Sequence, residues 1–281
     1  MRELSWEQTS RGTARISRLD PKDFRLETTT VWSFPTRGRW ATHGGSYPGN
    51  WAPEVPRNLI LRYTEPNETV LDAMMGSGTT LLECLLTNRQ GLGVDIEPEA
   101  ANLAASNLNL GYRPIDWAPD RSPVHLFVGD ARRLDAIPDG SVHLAALHPP
   151  YAGIIAYGAA TSGFNLSRLS MNRFIAAMRE VATETFRVLA PGRHCAVLIG
   201  DTRRHKHYVP LSVRVLEQFL DIGFILREDI VKLQHKMKGT REKWRGRTYD
   251  FYLIAHEHLY VFRKPVGGED LKDYRYSAKW R

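Results

Sequence analysis

Acidic residues and a glycine-rich turn close several apolar segments of this chain, and these residue types can hold a small polar ligand. Asp72 ends one apolar segment and is followed by Gly76-Ser77-Gly78, while Asp95 and Asp130 end the next two. Glycine lets a backbone approach a ligand closely, and free amides at the start of the following helix favour a carboxylate or a phosphate. The pattern indicates a ligand site built from three strand ends.

The sequence around the turn separates three classes of ligand. A phosphate-binding P-loop needs a lysine after its glycines, where this chain has two threonines, and a dinucleotide fingerprint needs a third glycine in place of Leu81. S-adenosylmethionine remains, because Asp72 and the turn amides suit its amino-acid end, Asp95 its ribose hydroxyls and Asp130 its adenine. For the glycines alone, a tight bend without a ligand stays an alternative. The predicted cofactor-binding residues are Asp72, Met74, Gly76, Ser77, Gly78, Thr79, Thr80, Asp95, Ile96, Asp130 and Ala131.

The run His148-Pro149-Pro150-Tyr151 follows another apolar segment and is the candidate catalytic site. An exocyclic amine on an aromatic base is a poor nucleophile, because the ring shares its lone pair. The His148 side chain and the Pro149 carbonyl can each accept one amino proton, which frees the lone pair, while Tyr151 stacks on an extruded base. The prolines, Pro149 and Pro150, hold this backbone rigid. A rigid turn, or a catalytically inactive relative, is the alternative interpretation.

The two segments in this order resemble the amino-methyltransferases of DNA, the family that makes N6-methyladenine and N4-methylcytosine. Residues 72–80 are similar to its cofactor loop, Asp-Pro-Phe-x-Gly-Ser-Gly-Thr-Thr, with Ala73 and Met74 replacing Pro and Phe. Residues 148–151 are similar to its tetrapeptide, in which Asp, Asn or Ser precedes Pro-Pro-Tyr. The resemblance covers roughly residues 53–262 and implies direct methyl transfer from S-adenosylmethionine to an exocyclic amine. N4 of cytosine is favoured over N6 of adenine, because a non-acidic first residue is more usual there.

The histidine at position 148 departs from the family pattern. An imidazole accepts through one nitrogen and only when neutral, so we expect activity to fall at acidic pH. Neither Cys84 nor Cys195 lies in a Pro-Cys context, which argues against methylation at a ring carbon. Related tetrapeptides occur in RNA and protein-glutamine methyltransferases. An RNA base methyltransferase and a non-catalytic module that binds the cofactor or nucleic acid therefore stay open.

A formal charge of +7 and a pI near 9.5 point to an anionic partner, although the same excess also keeps a protein soluble. Basic residues with interleaved aromatics suit phosphate contact, so nucleic acid is the predicted partner, with DNA favoured over RNA. A flap over the base is predicted at 152–170. No metal is assigned to His256 and His258, and oligomeric state is not predicted. The predicted nucleic-acid-binding residues are Arg203, Arg204, Lys206, Lys236, Lys238, Arg241, Lys243, Arg245 and Arg247.

Apolar strands alternate with amphipathic helices, which predicts a doubly wound α/β sheet. The resemblance implies a Rossmann-like class I fold, with a mostly parallel seven-stranded sheet and an antiparallel C-terminal strand. The predicted strands lie at 69–72, 91–96, 125–128, 142–147, 195–199, 224–233, 251–255 and 259–262.

The expected organisation is one catalytic domain with additions at both ends. Residues 1–52 are predicted to form an arm packed on a methyltransferase domain at 53–265, with basic loops at 201–209 and 234–250 and a tail at 266–281. Two cysteines exclude a disulfide framework. We find no signal peptide or long apolar segment, so a cytoplasmic protein without a membrane partner is expected.

Overall fold

The computed structural model describes residues 1–4, 16, 18–45, 47–110, 124–150, 165–235 and 250–279. Its strands within these ranges are β1 (Arg2–Leu4), β2 (Val31–Trp32), β3 (Thr69–Asp72), β4 (Gln90–Asp95), β5 (Val124–Val128), β6 (Val142–Leu147), β7 (Leu189–Gly200), β8 (Thr202–Arg204), β9 (His207–Val209), β10 (Ile225–Leu233) and β11 (His256–Arg263). Its α-helices there are α1 (Glu54–Tyr63), α2 (Thr79–Leu86), α3 (Pro98–Leu108), α4 (Met171–Val188) and α5 (Leu211–Ile222).

Nine of these strands form one sheet in the order β1-β5-β4-β3-β6-β7-β11-β10-β2. The five strands from β5 to β7 run parallel, and β11 is antiparallel to both β7 and β10. The mostly parallel α/β fold with an antiparallel C-terminal strand is therefore confirmed. The predicted seven strands form its centre, and β1 and β2 from the N-terminal arm add one short strand at each edge. The strand predicted at 251–255 is wrong, because β11 begins only at His256.

Helices cover both faces of the sheet. Successive side chains along each strand point to opposite faces, so each strand contacts the helices on both sides. In β6, Ala145 and Leu147 belong to the core that includes α4 and α5, whereas Leu144 and Ala146 pack towards α1. A third apolar cluster joins α2 and α3 to β5. Because both faces are covered, polar groups of the parallel strands reach solvent mainly at the strand ends. None of the helices in the described ranges is both long and apolar enough to cross a bilayer.

The N-terminal arm is anchored by a buried carboxylate in α2. Glu83 has no solvent exposure, and its Oε1 accepts a hydrogen bond from Trp40 Nε1 at 2.7 Å. His43 Nε2 lies 2.6 Å from the same oxygen, and Arg57 Nη1 donates to Oε2 at 2.8 Å. A buried charge is tolerated only when it is paired and hydrogen-bonded in this way. Glu83 therefore fixes the path of the arm across α2.

Candidate active site

A cavity of about 750 Å³ lies at the carboxyl ends of the parallel strands. Its volume is within the range of small-molecule sites, and strand ends of open α/β sheets are where such sites form. Eight of the predicted cofactor-binding residues line it, from the loops after three neighbouring strands. They are Asp72, Met74, Gly76, Ser77, Asp95, Ile96, Asp130 and Ala131.

The three remaining predicted cofactor residues, Gly78, Thr79 and Thr80, are not among the cavity-lining residues. Gly78 is the N-cap of α2 and has φ of 81°, a left-handed conformation that favours glycine. The hydroxyl of Thr80 donates to Asp72 Oδ2, and the hydroxyl of Thr79 donates to Asn50 Oδ1. These side chains therefore hold the loop and the arm in place.

Gly76 is the point where the arm meets the cofactor loop. Its φ is 51°, and a Cβ built there would lie 2.8 Å from Cε1 of Tyr47. Any side chain at this position would displace the Tyr47 ring and strain the backbone. The glycine is thus required by the bend and by the close approach of the arm, independently of a ligand.

The Asp72 carboxylate is buried beneath the turn. Its Oδ1 accepts from the backbone N–H of Met74 at 3.1 Å, and its Oδ2 from the Thr80 hydroxyl. The pKa of Asp72 is raised to about 7, and burial is the largest cause. The two hydrogen bonds oppose this rise, and nearby Asp95 adds to it. A cation entering the cavity would favour the ionised form of this carboxyl.

Asp95 and Asp130 are already engaged by neighbouring groups. Asp95 accepts from the backbone N–H of Gly76 at 2.9 Å and from that of Glu97 at 2.9 Å, which joins the loops after β3 and β4. Burial raises its pKa. Asp130 binds the guanidinium of Arg132, whose Nη2 lies 2.6 Å from Oδ2. Each carboxylate oxygen keeps further acceptor capacity, so these contacts do not preclude a ligand.

His148, Pro149 and Pro150 line the same cavity, at the end of β6. The imidazole of His148 stacks on the indole of Trp51, with ring centroids 5.4 Å apart and an angle of 21° between the planes. The pKa of His148 is lowered to about 4, and burial is the largest cause. Glu257 opposes this fall, and Lys232 adds to it. The ring is therefore neutral at neutral and mildly acidic pH. It loses its ability to accept a proton near pH 4, and not at the mildly acidic pH expected for an ordinary histidine. Tyr151 lies outside the described residues.

The wall beside His148 contains residues that we did not predict as part of the site. Phe34 and Trp51 come from the arm, whereas Lys232 and Glu257 come from β10 and β11. Lys232 lies just before the basic loop predicted at 234–250. Glu257 is buried on the strand face opposite His256 and His258. In the described ranges, no group of three or more His, Cys, Asp or Glu side chains is arranged to hold a metal ion.

Three predicted nucleic-acid-binding residues lie on the hairpin of β8 and β9, directly after β7. The guanidinium of Arg203 donates to the carbonyl of Tyr252 at 2.9 and 3.1 Å and lies 4.9 Å from the ring centroid of Phe251. Arg204 and Lys206 are exposed, and Lys206 Nζ lies 3.5 Å from Asp250 Oδ1. The other six, Lys236, Lys238, Arg241, Lys243, Arg245 and Arg247, and most of the predicted flap lie outside the described residues.

Residues 4–106 match the family described as DNA methylase. This segment is similar to that DNA methylase family. It contains the cofactor loop but ends before His148, so the match confirms the family resemblance without testing the catalytic motif.

The relatives with curated names each match part of the chain. A Type II methyltransferase of Xanthomonas campestris pv. cyanopsidis, M.XycI, is 39% identical over 79 residues, which cover 28% of this chain and 25% of the relative. M.MjaI, a Type II methyltransferase of Methanocaldococcus jannaschii, is 30% identical over 168 residues, covering 50% of this chain and 55% of the relative. The chain thus spans between a quarter and about half of these two relatives. A solved SAM-dependent methyltransferase of Methanosarcina mazei is 15% identical, with 74% of this chain and 97% of that chain covered and a TM-score of 0.49.

Proposed function

We propose that this protein is a DNA methyltransferase that transfers a methyl group from S-adenosylmethionine to an exocyclic amino nitrogen of a base. The observation that carries the proposal is one cavity lined both by the strand-end carboxylates Asp72, Asp95 and Asp130 and by the motif at His148. The DNA methylase match over the cofactor loop supports the family, and the relatives named Type II methyltransferases support DNA as the substrate.

The acidic lining fits S-adenosylmethionine, which carries a sulfonium and an amino group. Asp72 and the turn amides would hold its amino-acid end, Asp95 its ribose hydroxyls and Asp130 its adenine, with Gly78, Thr79 and Thr80 supporting the turn. When bound, the cofactor supplies the methyl group, with its S–CH₃ bond breaking as an N–CH₃ bond forms on the base.

The chain's own contribution at the reacting nitrogen comes from the motif after β6. The neutral imidazole of His148 accepts one amino proton and the Pro149 carbonyl accepts a hydrogen bond from the other, which directs the lone pair towards the methyl group. The proton taken by His148 passes to solvent. Pro150 fixes the backbone, and Tyr151 is proposed to stack on the flipped base.

Cytosine N4 is the favoured target, because a non-acidic residue at position 148 suits it better than adenine N6. Arg203, Arg204 and Lys206 are proposed to contact DNA phosphates, together with the basic residues at 236–247. A role as the methyltransferase of a restriction–modification pair is proposed by analogy with the Type II relatives.

The test is a product analysis with the purified protein. Isotopically labelled S-adenosylmethionine is incubated with unmethylated duplex DNA or with total RNA, and the nucleosides are identified by mass spectrometry. We expect labelled N4-methylcytosine from DNA. Labelled N6-methyladenine from DNA would correct the base, and label in RNA alone would replace the substrate. Tight cofactor binding without transfer to either would instead favour a non-catalytic module.

A further inference from the structure

A buried ion pair lies in the wall of the cavity beside His148. Lys232 and Glu257 are cross-strand partners in β10 and β11, and Nζ of the lysine lies 2.8 Å from Oε2 of the glutamate. Only 11% of the lysine side chain and 3% of the glutamate side chain are exposed. Burying two charges costs desolvation energy that their attraction barely returns, so a gain in stability does not account for the pair.

The position of the pair in the sheet brings it within reach of His148. Strands β6 and β11 are both hydrogen-bonded to β7, so their backbones are separated by about 10 Å. Glutamate and histidine side chains that enter one cavity from these two strands can span that distance. Lys232, Glu257 and His148 all line that cavity.

A histidine in the first position of the motif creates a requirement that Asp, Asn or Ser would not. A neutral imidazole accepts a proton through one nitrogen only if the other nitrogen carries its hydrogen, and that hydrogen needs an acceptor. Carboxylates commonly fix the tautomer and orientation of functional histidines in this way. Trp51 stacks on the face of the ring, so a group that orients the two ring nitrogens must approach at the ring edge.

We propose that Glu257 and Lys232 are positioning residues for His148. The Glu257 carboxylate accepts the imidazole N–H and so directs the other ring nitrogen to the target amine, while the ion pair with Lys232 fixes the orientation of that carboxylate. The carboxylate also stabilises the imidazolium that forms when the amino proton is taken. This inference rests on the proposed methyl transfer at His148.

The charges around His148 predict a signature that a purely structural pair would not produce. Burial is the largest cause of the lowered pKa of His148, and the two charged groups that act on it are Glu257, which raises it, and Lys232, which lowers it. Loss of Glu257 and loss of Lys232 should therefore move the pKa in opposite directions. The acids Asp72, Asp95 and Asp130 line the same cavity and must be titrated alongside.

The first measurement is a titration of His148 by NMR in protein with isotopically labelled histidine, assigned with His148→Gln. We expect a lower His148 pKa in Glu257→Gln and a higher one in Lys232→Met, and a changed tautomer balance in Glu257→Gln. Glu269→Gln is the matched control, because it removes a carboxylate from the partly buried pair with Arg263 at the far end of β11. It should leave the His148 pKa unchanged.

The second measurement is the turnover of the same variants. Glu257→Gln should lower kcat about 10- to 100-fold, the range typical when the carboxylate partner of a metal-bound histidine is removed, while the KM for S-adenosylmethionine stays constant. Glu257→Asp and Lys232→Arg should recover part of the rate. If either charge-removing variant does not fold, the double variant Lys232→Met with Glu257→Gln removes both charges and should fold with the same low kcat.

Unchanged kcat and an unchanged His148 tautomer in folded Glu257→Gln would overturn the inference, as would pKa shifts of the same sign in both charge-removing variants. The titration needs no turnover, so it tests the pair even if the wild type transfers no methyl group. Conversely, full activity in His148→Ala would refute the proposed role of His148, whatever the titration shows.

Discussion

The buried carboxyl of Asp72 should make binding of S-adenosylmethionine depend on pH. Its pKa is raised to about 7, chiefly by burial, so the side chain is mostly neutral below that pH. The cofactor is cationic and binds better to the ionised form, which means that binding releases a proton. The affinity should then fall about fivefold from pH 7 to pH 6 and about tenfold from pH 6 to pH 5, because the ionised fraction of a carboxyl with a pKa of about 7 falls by these factors.

The assay is isothermal titration calorimetry at pH 7, 6 and 5, repeated in buffers of different ionisation enthalpy. The wild type should release close to one proton per cofactor bound at pH 6, and Asp72→Asn should bind weakly and release much less. An affinity that stays flat from pH 7 to pH 5, with proton release unaffected by Asp72→Asn, would refute the role given to this carboxyl.

The same substitution should increase the stability of the fold. Raising the pKa of a carboxyl from about 4 to about 7 costs its ionised form roughly 4 kcal/mol at most. The pKa of Asp72 is higher in the folded protein than in the unfolded chain. The wild type therefore keeps its full stability below pH 4, where the carboxyl is neutral in both states, and loses stability as the pH rises towards 7. Asparagine keeps an acceptor for the Met74 amide, so urea unfolding should show a larger gain for Asp72→Asn at pH 8 than at pH 5. An equal effect at both pH values would contradict the linkage.

Four further predictions test other parts of the structure. With saturating cofactor, kcat should stay level down to about pH 5 and fall towards pH 4, where His148 protonates. A fall centred near pH 6.5 would show that the buried imidazole of His148 is not the proton acceptor. Glu83→Ala removes the buried partner of Arg57 and leaves it the exposed carboxylate of Asp20, so it should lower the free energy of unfolding by about 3–5 kcal/mol in urea titrations, and a loss below about 1 kcal/mol would contradict the anchor. Gly76→Ala should cost about 1–3 kcal/mol and weaken cofactor binding, and normal affinity would show that the strained turn is dispensable. Arg203→Ala should reduce the salt dependence of DNA binding by about one counterion without changing cofactor affinity, and an unchanged salt slope would remove Arg203 from the phosphate contacts.

The sequence was sufficient to predict the residues that meet at the parallel strand ends. Asp72, Asp95, Asp130 and His148 each follow a buried strand, and the topology of a parallel sheet brings such positions to one edge whatever the loops do. The prediction needed only the existence and order of the strands. It did not depend on their exact boundaries.

The other wall of the site depends on information that local patterns do not contain. Glu257 enters the cavity because of the antiparallel register of β11 against β7 and β10, and Trp51 because buried Glu83 steers the arm. The strands β1 and β2 are two or three residues long, too short for a visible periodicity. The raised pKa of Asp72 likewise arises from tertiary burial, which no residue type reveals.

The most direct test of the account compares the wild type with His148→Ala in labelled methyl transfer to unmethylated duplex DNA. Both proteins should bind S-adenosylmethionine equally well, because His148 does not hold the cofactor. We predict labelled N4-methylcytosine from the wild type and a large loss of rate in the variant. Transfer at the same rate by both proteins would contradict the assignment of His148 as the proton acceptor.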